Sequence, residues 1–178
     1  MRGTKKVIMV VMVGWVLASG QAFGKEGDTS VEASLNYGSE SFDGLGGQIG
    51  VSVGGGYEFL NNLQGRVDLS YYRSSTDQGG MNVAGTRVPL DLGARYYFPL
   101  PSIDPKLAAF AQGGLEVSFD DWKPSADLPS RSSTRFGGVV GGGAEYMLDR
   151  QFGALVNLHY HIVEGGYLST GIGMSYHF

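Results

Sequence analysis

The sequence predicts an all-β protein, an eight-stranded antiparallel up-and-down barrel that crosses a membrane with its strands. Three observations carry that expectation. Residues 167–178 alternate apolar and polar with a period of two, and seven earlier segments do the same. The polar faces of those segments hold most of the strand charge. The connections between segments alternate between compact and long, which is the habit of strand-spanning membrane proteins.

The last segment shows the pattern best. Leu168, Thr170, Ile172, Met174, Tyr176 and Phe178 share one face, and Ser169, Gly171, Gly173, Ser175 and His177 share the other. It finishes flush on an aromatic residue. That suits a final strand closing against the first, where no backbone group is left without a partner in hydrocarbon.

At the other end, Arg2, Lys5 and Lys6 precede an apolar run over 7–18, followed by Ala18, Ser19, Gly20, Ala22 and Gly24. Twelve apolar residues are too few for a helix across a bilayer. Residues 1–24 are expected to be a cleaved signal peptide, cut after Ala22 or Gly24, and 25–178 a single exported barrel domain. Cysteine is absent, so disulfides do not hold this exported chain together. The formal charge is −4, and it becomes −7 once the three cations of the leader are removed. An acidic chain of this kind argues against nucleic acid as a partner. Thirty glycines with ten tyrosines and nine phenylalanines fit neither a disordered chain nor a helical bundle.

The segments follow in order. Over 30–37, Val31, Ala33, Leu35 and Tyr37 oppose Glu32, Ser34 and Asn36. Over 47–59, Ile49, Val51, Val53, Tyr57 and Phe59 oppose Gln48, Ser52 and Glu58, and Asn61-Asn62 then makes a tight turn. Over 63–73, Val67, Leu69 and Tyr71 oppose Arg66, Asp68, Ser70 and Tyr72. Over 87–98, Val88, Leu90, Leu92, Ala94, Tyr96 and Phe98 oppose Arg87, Asp91 and Arg95. Pro89 is expected near the start of this strand, where a missing N–H is tolerated. Over 107–119, Ala109, Ala111, Leu115, Val117 and Phe119 oppose Phe110, Gln112, Glu116 and Ser118. The segment 135–148 is the least regular, since Val139 and Met147 fall on the face of Arg135 and Glu145. Over 152–162, Phe152, Ala154, Val156, Leu158, Tyr160 and Ile162 oppose Asn157, His159 and His161. Compact turns at 61–62, 99–106 and 149–150 alternate with longer loops at 38–46, 74–86 and 120–134.

Strand length sets the barrel size. A membrane strand takes roughly 9–11 residues. Sixteen would consume the mature chain and leave no loops, whereas eight leave ample connections. Eight strands enclose a lumen that side chains fill.

The inward rows supply that filling. Glu32, Glu58, Asp68, Asp91, Glu116 and Glu145 are the acids, and Arg66, Arg87, Arg95 and Arg135 the bases. No lysine is among them, and the planar fork of arginine can satisfy two carboxylates at once. Unpaired, each such charge would cost several kcal/mol. An ion-pair network filling the lumen is therefore expected. The outward aromatics cluster at strand ends, as in interfacial girdles.

The leader, the eight segments, the strand RVPLDLGARYYF (87–98) running into a proline-rich turn, and the closing GIGMSYHF resemble the small outer-membrane β-barrel proteins of the OmpA transmembrane-domain and OmpX type. The resemblance spans the mature chain. It implies residence among outer-membrane lipid and insertion by the barrel assembly machinery. Met174, Tyr176 and Phe178 would be the C-terminal insertion signal that this machinery reads. It implies no single activity. A counterpart of the periplasmic domain of full-length OmpA is not expected.

Neither a cofactor nor a metal site emerges from the sequence. A hairpin centred near Gly165 would set His161 opposite Ser169 and His159 opposite Gly171, leaving His177 far along the barrel, so the three histidines do not converge. His161, Ser169 and Glu164 can be drawn as a Ser-His-Glu set, and some eight-stranded barrels are lipid A deacylases. The His-x-Ser-Asn run of those enzymes is not matched by His159-Tyr160-His161-Ile162. Asp120, Asp121 and Asp127 are expected to be solvated loop acids. The leading expectation is a non-enzymatic outer-membrane protein with a structural or surface-interaction role, whose extracellular loops meet a partner the sequence does not name. An outer-membrane lipid-modifying enzyme and a soluble exported ligand-carrying barrel are the alternatives.

Overall fold

The computed structural model describes residues 27–39, 47–78, 81–123 and 131–178. The predicted leader and the stretches 40–46, 79–80 and 124–130 lie outside the described residues. Eight strands follow one another: β1 (Thr29–Gly38), β2 (Gln48–Leu60), β3 (Leu63–Gln78), β4 (Met81–Pro99), β5 (Leu107–Lys123), β6 (Arg131–Met147), β7 (Phe152–Ile162) and β8 (Tyr167–His177). Each pairs antiparallel with its sequence neighbours, and β8 returns to β1, so the sheet closes into an up-and-down barrel. The closing ladder runs from Ser30↔His177 to Gly38↔Ser169.

The alternation in the sequence becomes inside and outside. Arg66, Arg95 and Glu116 face the lumen and are at most 4% exposed, whereas Ile49, Leu115 and Phe136 on the outer wall are more than 70% exposed. That polarity is the reverse of a soluble barrel's and fits a wall bathed in hydrocarbon. At the end holding the start of β1 and the close of β8, Tyr96 packs edge-on against Phe98, and Tyr176 packs against both Phe152 and Phe178. Tyr37, Phe119 and Tyr160 lie exposed towards the other end. These aromatics form the expected girdles.

The β2–β3, β4–β5 and β6–β7 links fall at the end where β1 starts. Asn62 takes a left-handed conformation (φ 64°) in the two-residue link between β2 and β3, with Leu60 opposite Leu63. Asparagine tolerates that region better than most residues. Its N–H donates to Glu58 Oε1 at 2.5 Å. Between β6 and β7, Asp149 Oδ1 accepts from the N–H groups of Gln151 (2.7 Å) and Phe152 (2.8 Å).

Three details differ from the sequence expectation. The predicted loops 74–86 and 120–134 are largely strand, because β3, β4, β5 and β6 continue well beyond the expected limits. Their Ser, Thr, Asp and Gly residues match the turn composition of a loop, but the ladder carries them past the apolar band. Trp122 accordingly lies on β5 rather than in a loop. Pro89 sits in the middle of β4, not near its start. The β3–β4 pairing passes from Leu69↔Leu90 to Tyr72↔Arg87 and skips the residues between, while Pro89 still pairs with Ser118 on β5. The missing N–H is thus accommodated on one side only. Finally, the β7–β8 hairpin is shifted by two residues from the expected register. His161 lies opposite Tyr167 and His159 opposite Ser169, with Gly165 at φ +83° in the turn.

The two N–H donors at Asp149 hold its carboxyl below the usual value of 3.8. A depressed folded value means that the stabilisation is present above pH 3.8 and disappears as pH falls through the folded value. Replacing Asp149 by Ala should lower the unfolding free energy at neutral pH, and the gap to wild type should close in strong acid. A urea titration of the refolded barrel at a series of pH values measures this.

Candidate functional site

The lumen holds the charged side chains, and each is placed there by strand register. Cross-strand neighbours fall in layers along the barrel, because inward residues on paired strands lie side by side.

Nearest the tight turns, Glu145 on β6 accepts a hydrogen bond from Ser175 Oγ, and its Oε1 lies 2.7 Å from His177 Nε2. Above them, Phe110 lies under the Arg95 guanidinium at 4.0 Å. Arg66 donates to both oxygens of Glu32 (2.8 and 2.7 Å) and to Asp68 Oδ1 (2.7 Å). Arg95 also donates to Glu32 (2.5 Å) and, with two nitrogens, to Gln112 Oε1. Gln112 passes its own N–H to Asp68 Oδ2 at 3.2 Å. One carboxylate on β1 therefore anchors two arginines from β3 and β4, which is the bidentate use that arginine permits.

The next layer differs in character. Asp68, Asp91 and Glu116 are direct neighbours across β3, β4 and β5. Asp68 is paired with Arg66, but Asp91 forms no ion pair among the described residues, and its Oδ1 has no hydrogen-bond partner. Glu116 Oε2 lies 2.6 Å from His161 Nδ1, and His161 Nε2 lies 2.9 Å from Ser169 Oγ. The imidazole is stacked on Tyr167 at 4.0 Å and 3°. The Arg87 guanidinium lies 4.5 Å over the other ring in turn. Towards the far end, Arg87 and Arg135 both reach Asp120, at 2.9 and 3.1 Å.

The sequence-predicted residues thus divide. Glu32, Arg66, Asp68 and Arg95 form one cluster, and Arg87 and Arg135 another. Glu145 and Glu116 pair with histidines rather than arginines. Glu58 is spent on the Asn62 turn, and Asp91 stands apart. Asp120, expected to be a solvated loop acid, is 4% exposed and is the shared acceptor of its cluster. It continues the every-second-residue row of Glu116 and Ser118, which was the signal available for it. Gln112 was on the same predicted inward row, whereas the stacking role of Tyr167 carried no such signal. Met174 and Phe178 lie on the exposed outer row of β8.

The order Ser169–His161–Glu116 is that of a nucleophile, base and orienting acid. Here it faces inward. Ser169 is 3% exposed, its β8 backbone is paired on both sides, and the Tyr167–Arg87 stack covers the imidazole.

Replacing Glu32 by Ala should leave Arg66 and Arg95 buried without their common acceptor and cost about 3–5 kcal/mol. Replacing Glu58 by Gln should stay within about 0.5 kcal/mol of wild type. Urea unfolding in lipid vesicles compares the two.

A family model described as outer membrane protein beta-barrel domain matches residues 10–178. A search of curated proteins finds no match. Among solved structures, Ail, the attachment invasion locus protein of Yersinia pestis, is 15% identical, with a TM-score of 0.60 over 86% of this chain and 99% of that one. Neisserial surface protein A is 15% identical, with a TM-score of 0.61 over 84% and 95%. The N-terminal β-barrel domain of Pseudomonas aeruginosa OprF is 23% identical, with a TM-score of 0.56 over 86% and 100%. At these identities the structures share the fold. The family match covers nearly the whole chain, its inverted polarity and closed sheet agree with it, and the chain therefore belongs to the outer membrane protein beta-barrel domain family and resides in the bacterial outer membrane.

Proposed function

We propose that this protein is a closed-lumen wall element of the outer membrane that acts, where it meets partners, through the connections at the end opposite the β2–β3 turn. The observation that supports this best is the lumen itself. Arg66, Arg95, Glu32 and Gln112 cross it in one layer, and Arg87, Tyr167 and His161 stack across another. A barrel so filled conducts no solute. Both ends of the chain then face the periplasm, and the connections after β1, β3, β5 and β7 face outside. The barrel assembly machinery inserts the chain, guided by Met174, Tyr176 and Phe178.

Ail is described in complex with the heparin analogue sucrose octasulfate. The sequence around these connections offers little to such a polyanion. Glu40, Asp43, Asp77, Asp121 and Asp127 outnumber Lys123 and Arg131. A neutral or basic partner fits that charge better.

In planar bilayers the refolded protein should show no steady conductance, and replacing 40–46 and 124–130 by Gly-Ser linkers should abolish cell-surface binding while leaving heat-modifiable migration intact. Stable channels in the intact protein would overturn the reading. So would a change in lipid A acylation on Ser169→Ala, since that would place the Ser169–His161–Glu116 set in an enzyme.

Residues 1–24 act as a cleaved leader in this reading. N-terminal sequencing of the protein from outer-membrane fractions should begin at Phe23 or Lys25. A mature chain retaining Met1 would remove this part of the proposal.

A further inference from the structure

The layer around Asp91 has a surplus of acid that the protein does not balance. Three inward carboxylates stand side by side, and only Asp68 has a guanidinium. Asp91 and Glu116 are 7% and 1% exposed, and Asp91 Oδ1 and Glu116 Oε1 each lack a hydrogen-bond partner. Two buried like charges in direct register repel, and burial weakens the screening between them. His161 joins them from β7. One ligand atom from each of Asp91, Glu116 and His161 lies within 4.8 Å of the others. A cavity of about 30 Å³, lined by Asp91 and His161 among others, adjoins the cluster.

We infer that Asp91, Glu116 and His161 form a buried site for one divalent transition-metal ion, with zinc as the type. The donor set decides the class. Calcium and magnesium favour all-oxygen shells, whereas one imidazole with two carboxylates suits zinc and its neighbours. The imidazole is already oriented for the task. Metal-bound histidines usually hold an oxygen on the nitrogen that does not bind, and His161 Nε2 has Ser169 Oγ at 2.9 Å while Nδ1 faces Glu116. Zinc sites with three protein ligands keep water at the fourth position, and the adjoining cavity has room for one. Ligand atoms on a tetrahedral zinc, bonded at about 2.0–2.2 Å, stand roughly 3.4 Å apart. To reach that spacing the two carboxylates would have to rotate, the 2.6 Å contact between Glu116 Oε2 and His161 Nδ1 opening and the wider separations, up to 4.8 Å, closing. A dication here also cancels the repulsion between Asp91 and Glu116.

The Tyr167–Arg87 stack covers the cluster, so the ion enters as the barrel closes. The mature chain is therefore refolded into detergent with Zn²⁺ present, and unbound metal is removed by gel filtration. Metal content per folded chain is then read by atomic emission. About one zinc per chain is expected, falling at least tenfold in Asp91→Asn and unchanged in Asp121→Asn. Asp91→Asn breaks no hydrogen bond seen in the structure, and heat-modifiable migration checks that it folds. Cobalt in place of zinc should give the intense visible bands of a low-coordinate site in the wild-type protein. A folded wild type without stoichiometric zinc overturns the inference, as does full retention in Asp91→Asn or a six-coordinate cobalt spectrum.

Discussion

Closure of β8 on β1 is the constraint from which the remaining structure follows. Hydrocarbon offers no partner to a backbone N–H or C=O, so an open edge would be untenable. The ladder from Ser30↔His177 to Gly38↔Ser169 removes the last edge. Once the sheet is a ring, every strand residue must face lipid or lumen. Composition then sorts by parity. The apolar side chains that a soluble protein would bury become the outside of the wall, and the polar rows have nowhere to go but inward.

That inward space is narrow, and its contents are large. Room comes from glycine on the facing strand. A Cβ at Gly54 would collide with Asp68 and crowd Arg66, and one at Gly56 would collide with Gln64. The Arg66 layer exists because β2 contributes no side chain at those positions. Charge balance follows the same geometry. Glu32 serves two arginines from neighbouring strands, and Asp68 gives Arg66 a second carboxylate. A few residues away the account runs the other way, with Asp91 and Glu116 beside each other and only an imidazole to answer them.

Strand number, parity and polarity were legible in the sequence, because a period of two needs no partner to be visible. The inward rows of Glu32, Arg66, Asp68 and Arg95 could be named for the same reason. Which acid met which base could not, since that depends on register between strands far apart in the chain. Glu32 and Arg95 are 63 residues apart, and their contact depends on the pairing of β1 through β4. A shift of two residues in the β7–β8 hairpin changes the residue opposite His161 from Ser169 to Tyr167. The limits of β3 to β6 were missed because Ser, Thr and Asp above the apolar band look like loop while the ladder continues through them. Pro89 was misplaced because its surroundings, not its own residue type, decide whether a missing donor can be borne.

Pro89 has a mechanical consequence. For the span it occupies, β3 and β4 are adjacent without direct pairing and are joined firmly only above and below. A hoop is no stronger than its least-fastened seam. When the wall breathes, the first parting between staves should open along this line, and the lipid tails beside it are the first molecules able to probe the gap.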